Sequence, residues 1–381
     1  MVGVTLILVA LLLLYLLYYW FVVCQPVNLH FAETTNNKSI IDSIANFKQS
    51  FRPTIWCFNT HLQTIYNVLL RPNIIVDYFS ELFVFNCGGE ILLDWVEDPA
   101  LMAQKNKDVE EQDKSTVVVL SGVCGGSQEI EIKHFVAVCK KAGHRVVVVN
   151  YRGAQTRLKT ERFGLDENDL EVVINHIRKS VGQRSHMIGV GFSLGSNILV
   201  RYLGKAGKNT PLSCCMSISN PYNLNTATKM LRNPVASKVY DKVFTTKRKD
   251  MVMRHLDIYS KSPDFDIKKF ESISSTREFD DVISRFIVKY DNVDDFYNFS
   301  SCESYIPKIQ VPTLFLNSLD DPISSQESIP TQLIKNNTHC ILATTARGGH
   351  VAWIEGMVPT GPSWMEHTCM QYIQAVINTT N

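Results

Sequence analysis

Excess charge of either sign is missing from this chain of 381 residues, where 38 Lys and Arg face 37 Asp and Glu for a formal net charge of +1. Nothing in that balance would hold a polyanion, so no nucleic-acid partner is expected. Internal repeats and low-complexity stretches are also missing. The ten cysteines include no C-x-x-C pair, so the spacing of a zinc site is absent and no metal is expected. Several of them fall inside apolar, strand-like runs, where buried free thiols are the usual arrangement. With 45% hydrophobic residues, the length suffices for one large domain with a real core, or two small ones.

Charge is missing most conspicuously from Gly3 to Cys24, "GVTLILVALLLLYLLYYWFVVC". As a helix this run would rise about 33 Å, enough to cross a bilayer core. Tyr15, Tyr18, Tyr19 and Trp20 gather at one end, as aromatic residues do at a lipid–water boundary. A cleaved signal peptide would carry a basic residue before a shorter apolar run and a small-x-small site after it, and the chain has neither. Residues 1–24 are therefore expected to be a membrane anchor, making a single-pass protein of the endoplasmic reticulum or another internal membrane. Two topology signals oppose each other. Lys38, Lys48 and Arg52 follow the span and favour a cytoplasmic domain. Four N-x-S/T sequons, at Asn37, Asn298, Asn336 and Asn378, would matter only on the lumenal side.

Residues 25–80 read as a polar stem and N-terminal cap, and 81–381 as the main domain. "LFVFNCGGEILLDWVED" predicts a β-hairpin turning at Gly88-Gly89. The charged stretch 101–115 predicts a surface loop. Apolar β-branched runs at Thr116–Leu120, Arg145–Asn150, Met187–Phe192, Cys214–Ser219, Thr313–Asn317 and Cys340–Thr344 are the mark of strands buried on both faces of a parallel sheet. Helical patterns alternate with them, including "NDLEVVINHIRKS" behind Asn168 as its cap, and a last helix around Trp364–Ile377. The alternation predicts a doubly wound α/β fold. Helical, charged sequence at about 221–305 interrupts it, where a lid would be inserted.

"GVGFSLGSN" then gains a context. Ser193 stands between a buried strand and a helix, on a turn sharp enough to lift its Oγ above the sheet. Gly191 and Gly195 keep side chains from colliding across that turn. A serine needs a base, and in this fold the order is nucleophile, acid, histidine. Of the three histidines after the insertion, His339 opens a strand and His367 sits in a helical pattern. His350, in "ARGGHVAWIEG", follows the last strand and is the candidate base. "VPTLFLNSLDDPIS" offers Asp320 and Asp321 as the acid, and spacing alone does not separate them. The oxyanion donors are expected to be the N–H groups of Leu194 and of Val123 in "VVVLSGVCGGS", with Cys124 the second choice.

Taken together, "PTIWCFNTHLQTIYNVLLRP", "GGEILLDWVEDP", "LSGVCGGSQE", "GFSLGSNILVRYLGKAGKNTPL", "SSTREFDD", "LNSLDDPIS" and "GGHVAWIEG" make nearly the whole chain resemble one group. This is the membrane-anchored α/β-hydrolase-domain lipases, which include mammalian medium-chain phospholipase and monoacylglycerol lipase members. The resemblance implies an α/β-hydrolase fold and a serine hydrolase acting on lipid esters without a cofactor. "TREFDD" and the Asp321-to-His350 spacing are most similar to the phospholipase branch, which implies a phosphatidylcholine-type substrate and Asp321 as the acid. The chain departs from the pattern at Ser196, where relatives carry glycine, and at "SGVCGG", where Pro-Gly-Leu-Thr-Gly is common. The His-x4-Asp acyltransferase pattern of some related hydrolases is absent.

Overall fold

In the computed structural model, which describes residues 2–98, 114–263 and 265–380 apart from the side chains of Phe286 and Thr380, nine strands form one sheet. They are β1 (Asn28–Phe31), β2 (Phe79–Val84), β3 (Glu90–Trp95), β4 (Thr116–Leu120), β5 (Arg145–Val149), β6 (Met187–Phe192), β7 (Cys214–Ile218), β8 (Thr313–Ser318) and β9 (Cys340–Thr345). Their spatial order is β1-β9-β8-β7-β6-β4-β5-β3-β2. The run β5-β4-β6-β7-β8-β9 is parallel, and the antiparallel pairs lie at the two edges. The strand-like runs of the sequence are these parallel strands, and β2 and β3 are the hairpin that turns at Gly88.

Strand periodicity explains why the central runs are apolar throughout. Val117 and Val119 join one core with Val146, Val148, Ile188 and Val190, while Val118 and Leu120 join the opposite core with Val147 and Val149. Successive side chains point to opposite faces, and here both faces are covered. Helices Ile130–Lys141 and Trp364–Thr380 close one face, through residues such as Phe135, Cys139, Cys369 and Tyr372. Helices Glu167–Val181 and Leu194–Ala206 close the other, through Val173, Ile177, Leu199 and Tyr202. This is an α/β-hydrolase fold.

Two local findings refine the expectations. The helix at Glu167–Val181 is capped by Asp166, whose Oδ1 accepts from Asn168 N (3.0 Å) and Asp169 N (2.9 Å). Asn168, expected as the cap, lies inside the first turn, and its side-chain oxygen accepts from Lys205 instead. Within 25–80, β1 pairs with β9 at the sheet edge, so this stretch is built into the sheet and is not only a stem. Of the charged stretch 101–115, all but Lys114 and Ser115 lie outside the described residues.

The N-terminal segment is a helix from Val2 to Val23, widening into a π-type turn at Tyr19, and it is long and apolar enough to cross a membrane. Between β7 and β8 the chain leaves the sheet for a mostly helical insertion that includes the helix Lys242–Arg254. The insertion has its own small core, with Met251, Val252, Tyr259, Phe270 and Phe279, onto which Leu158 packs. At its centre the buried Arg248 pairs with the buried Asp280, and Tyr297 Oη donates to the same carboxylate at 2.8 Å.

Candidate active site

The strand-to-helix turn between β6 and Leu194 forces Ser193 into φ 51°, ψ −119°, a left-handed region that a non-glycine residue occupies only under constraint. Its N–H donates to Ile218 O at 2.9 Å, which fixes the turn to β7. The glycines on either side are required by contact distance. A Cβ on Gly191 would lie 2.5 Å from Ser196 Cα, and one on Gly195 would lie 2.4 Å from Ser121 O. Ser196, the departure noted above, fits because its hydroxyl turns back and donates to Ser193 O.

His350 Nε2 is 2.8 Å from Ser193 Oγ, across 157 residues of chain. Its Nδ1 faces Asp321 Oδ2 at 2.8 Å and Oδ1 at 3.1 Å. Asp321 is itself held by an Asx-type turn, Oδ1 accepting from Ile323 N and Ser324 N, both at 2.8 Å. The three expected residues therefore form one continuous chain of hydrogen bonds. Asp320, the neighbour that spacing could not eliminate, points elsewhere and accepts from Gly349 N at 3.1 Å. Burial pushes its carboxyl up to about 6.

The loop that aims His350 is heavily constrained. Gly349 has φ 63°, and a Cβ there would lie 2.7 Å from Thr64 Oγ1. Val351 and Trp353 hold positive φ as well, at 60° and 47°, which is strained for a β-branched and a bulky residue. Their conformation is fixed from outside: Val351 N donates to Ser219 Oγ at 3.0 Å, and Trp353 Nε1 to Thr345 Oγ1 at 2.8 Å. Two further partners were not foreseen from the sequence. Thr64 Oγ1 accepts from His350 N at 2.9 Å, and Thr60 Oγ1 donates to Asp320 O at 2.6 Å. Nothing local marks these threonines, because only the tertiary fold brings residue 64 beside residue 350.

Leu194 opens its helix, so its N–H is among those that no intrahelical carbonyl takes up. The loop after β4 turns at Val123-Cys124, closed by Gly125 N to Gly122 O at 3.2 Å. It lies close over the serine, for a Cβ on Gly122 would touch Ser193 Cβ at 3.5 Å. Val123, Ser193 and Leu194 line one cavity of about 280 Å³. Apolar side chains of the insertion, among them Leu224, Leu231, Phe244 and Phe296, line it as well. Cys124 also lines this cavity, and burial pushes its thiol up, which disfavours the thiolate. Among the described residues no group of His, Cys, Asp and Glu could hold a metal ion.

A mostly parallel sheet with a serine on the strained turn after β6, an aspartate after β8 and a histidine after β9 defines an α/β-hydrolase. No family profile matches the chain. It is 31% identical over 333 residues to phospholipase ABHD3 of Bos taurus, covering 86% of this chain and 79% of that one. It is 30% identical over 269 residues to a monoacylglycerol lipase of Saccharomyces cerevisiae, with 68% and 59% covered. An esterase structure from Pyrococcus furiosus superposes with a TM-score of 0.51 at 13% identity, over 81% of this chain and 97% of that one, a likeness of fold alone. The chain belongs to the α/β-hydrolase-domain lipase family of which ABHD3 is a member, and is a serine ester hydrolase.

Proposed function

We propose that this protein is a membrane-anchored lipase that cleaves a fatty acyl ester of a phospholipid by a Ser193–His350–Asp321 triad. The observation that carries the reading is the unbroken hydrogen-bond chain from Asp321 through His350 to Ser193 beneath an apolar cavity. In this mechanism His350 Nε2 removes the Ser193 proton as Oγ attacks the acyl carbonyl. Leu194 and Val123 N–H receive the oxyanion, and Asp321 holds the tautomer and balances the imidazolium. His350 returns the proton to the leaving alcohol, and water then releases the acid. No cofactor takes part in these steps.

Two features support a phospholipid over a neutral glyceride. The relatives named ABHD3 are called phospholipases. Arg254 lines the same cavity with a single long bond, to Gly153 O at 3.4 Å, and no carboxylate partner among the described residues. Its guanidinium is free to meet a phosphate. The helix Val2–Val23 supports anchoring, which would keep the enzyme at its substrate's surface. A fluorophosphonate should label the wild type and not Ser193→Ala. Arg254→Ala should depress phosphatidylcholine hydrolysis about tenfold more than monoacylglycerol hydrolysis. Labelling that survives Ser193→Ala defeats the triad, and equal effects on both lipids defeat the phospholipid assignment.

A further inference from the structure

The N-terminal helix does not stand clear of the domain. Every residue from Val2 to Leu14 is exposed, but Tyr15 Oη donates to Ile55 O at 2.5 Å and Tyr19 Oη to Pro53 O at 2.6 Å. Tyr15, Tyr18 and Tyr19 all pack on Phe58. The clasped turns Tyr15–Tyr19 belong to the same uncharged run as the exposed Val2–Leu14. A bilayer that takes up that run therefore brings residues 53–58 to its surface.

The outer side of that clasp suits such a place. Trp56 is 50% exposed, Met357 69% and Val358 77%. Trp56 Nε1 donates to Met357 O at 2.9 Å, and its ring meets Tyr66 edge-on at 5.7 Å. Leu62 and Leu70, both exposed, stand one turn before and one turn after Tyr66, and their neighbour Leu69 is exposed as well. From Pro53 to Leu70 there is no Asp, Glu, Lys or Arg. The bordering cations sit on the anchor's aromatic residues: Arg52 lies over the Trp20 ring at 5.2 Å, and Arg347 Nη2 is 3.5 Å from Tyr18 Oη. One carboxyl lies beside this face, that of Glu355, which is half-buried and bridged through its backbone to Pro53. An otherwise apolar face rimmed by arginine and ringed by Tyr and Trp is the composition of a bilayer interface.

We infer that Trp56, Leu62, Leu69, Leu70, Met357 and Val358 form a collar embedded in the acyl–headgroup boundary of the bilayer that holds the anchor. The inference rests on the anchor reading above. It also gives that reading a consequence at the active site, because the inner side of the same segment carries Thr60 and Thr64, which brace Asp320 and His350.

The test uses the full chain in phosphatidylcholine vesicles containing lipid labelled with a quencher near the headgroup or deep in the chain. Trp20 and Trp56 are the exposed tryptophans, so Trp56→Phe should remove about half of the shallow-label quenching, and adding Val358→Trp to it should restore the loss. Equal quenching of wild type and Trp56→Phe overturns the collar, whether the face stands in water or is covered by a second copy of the chain. Alkaline carbonate separates the two failures. Protein stripped from the vesicles refutes the anchor, whereas protein retained without the Trp56 difference refutes the collar alone.

Discussion

Replacing Asp321 by asparagine keeps the side chain's shape but reverses its polarity at one end. Oδ1 accepts from two backbone donors, Ile323 N and Ser324 N, so the amide oxygen must stay there, and the amide NH2 then takes the place of Oδ2. It would meet His350 Nδ1 at 2.8 Å, where one donor now faces another. The imidazole relieves this by moving its proton to Nε2, and Nε2–H then points at Ser193 Oγ, from which it should have accepted. Loss of the correct tautomer in a triad costs about 10⁴ in rate, or about 5 kcal/mol of transition-state stabilisation. Folding should change by only about 1 kcal/mol, since the Asx turn survives. The assay is kcat/KM on a water-soluble p-nitrophenyl ester together with the rate of fluorophosphonate labelling, with thermal melting as the fold control. Asp320→Asn is the matched comparison and should stay within about tenfold of wild type, because that carboxyl contacts the Gly349 N–H rather than the imidazole. Activity of Asp321→Asn within tenfold of wild type, or a larger fall in Asp320→Asn, would refute the reasoning.

Asp320 should also set a pH slope on stability. The native state holds its proton to about pH 6 while the unfolded chain gives it up near 3.8, so the stabilisation present below pH 4 is lost as pH rises through 6. This amounts to about 3 kcal/mol. Asp320→Asn should therefore melt several degrees above wild type at pH 8 and no higher at pH 4, as read by circular dichroism. Gly195→Ala should cost about 3 kcal/mol and abolish fluorophosphonate labelling, because its Cβ would meet Ser121 O at 2.4 Å and Leu120 O at 2.6 Å, both backbone atoms that cannot swing aside. Arg71 and Glu366 form a buried bidentate pair, with both bonds at 2.8 Å. Arg71→Met should cost about 3–5 kcal/mol in urea melts, and the double variant with Glu366→Leu should regain most of it, since the cost is an unpaired buried carboxylate.

Much of this architecture is legible along the chain because its causes are local. An apolar β-branched run such as Arg145–Val149 has few alternatives to a strand covered on both faces. The Gly–x–Ser–x–Gly turn declares itself because only glycine clears the 2.4–2.5 Å contacts around Ser193. His350 could be chosen among ten histidines because it follows the last strand on two glycines. The cap of Glu167–Val181 was misplaced by two residues, since both Asp166 and Asn168 have capping side chains and only the backbone path decides which one precedes the first turn.

The sequence by itself determined the parallel strands, the glycine-flanked elbow and an apolar N-terminal helix, all of which depend on periodicity and on residue types within a few positions. Tertiary structure alone decided what depends on distant approach. Residue spacing left Asp320 and Asp321 open and the family resemblance favoured Asp321; the fold supplies the physical means, a turn whose donors are residues 323 and 324. It brought Thr64 across 286 residues to steady His350, and it laid the anchor's tyrosines against residues 53–58. The physical reason is the range of the forces involved. A turn or a strand is selected by its own side chains, whereas a hydrogen bond between remote segments exists only once the core has packed and fixed both of its ends.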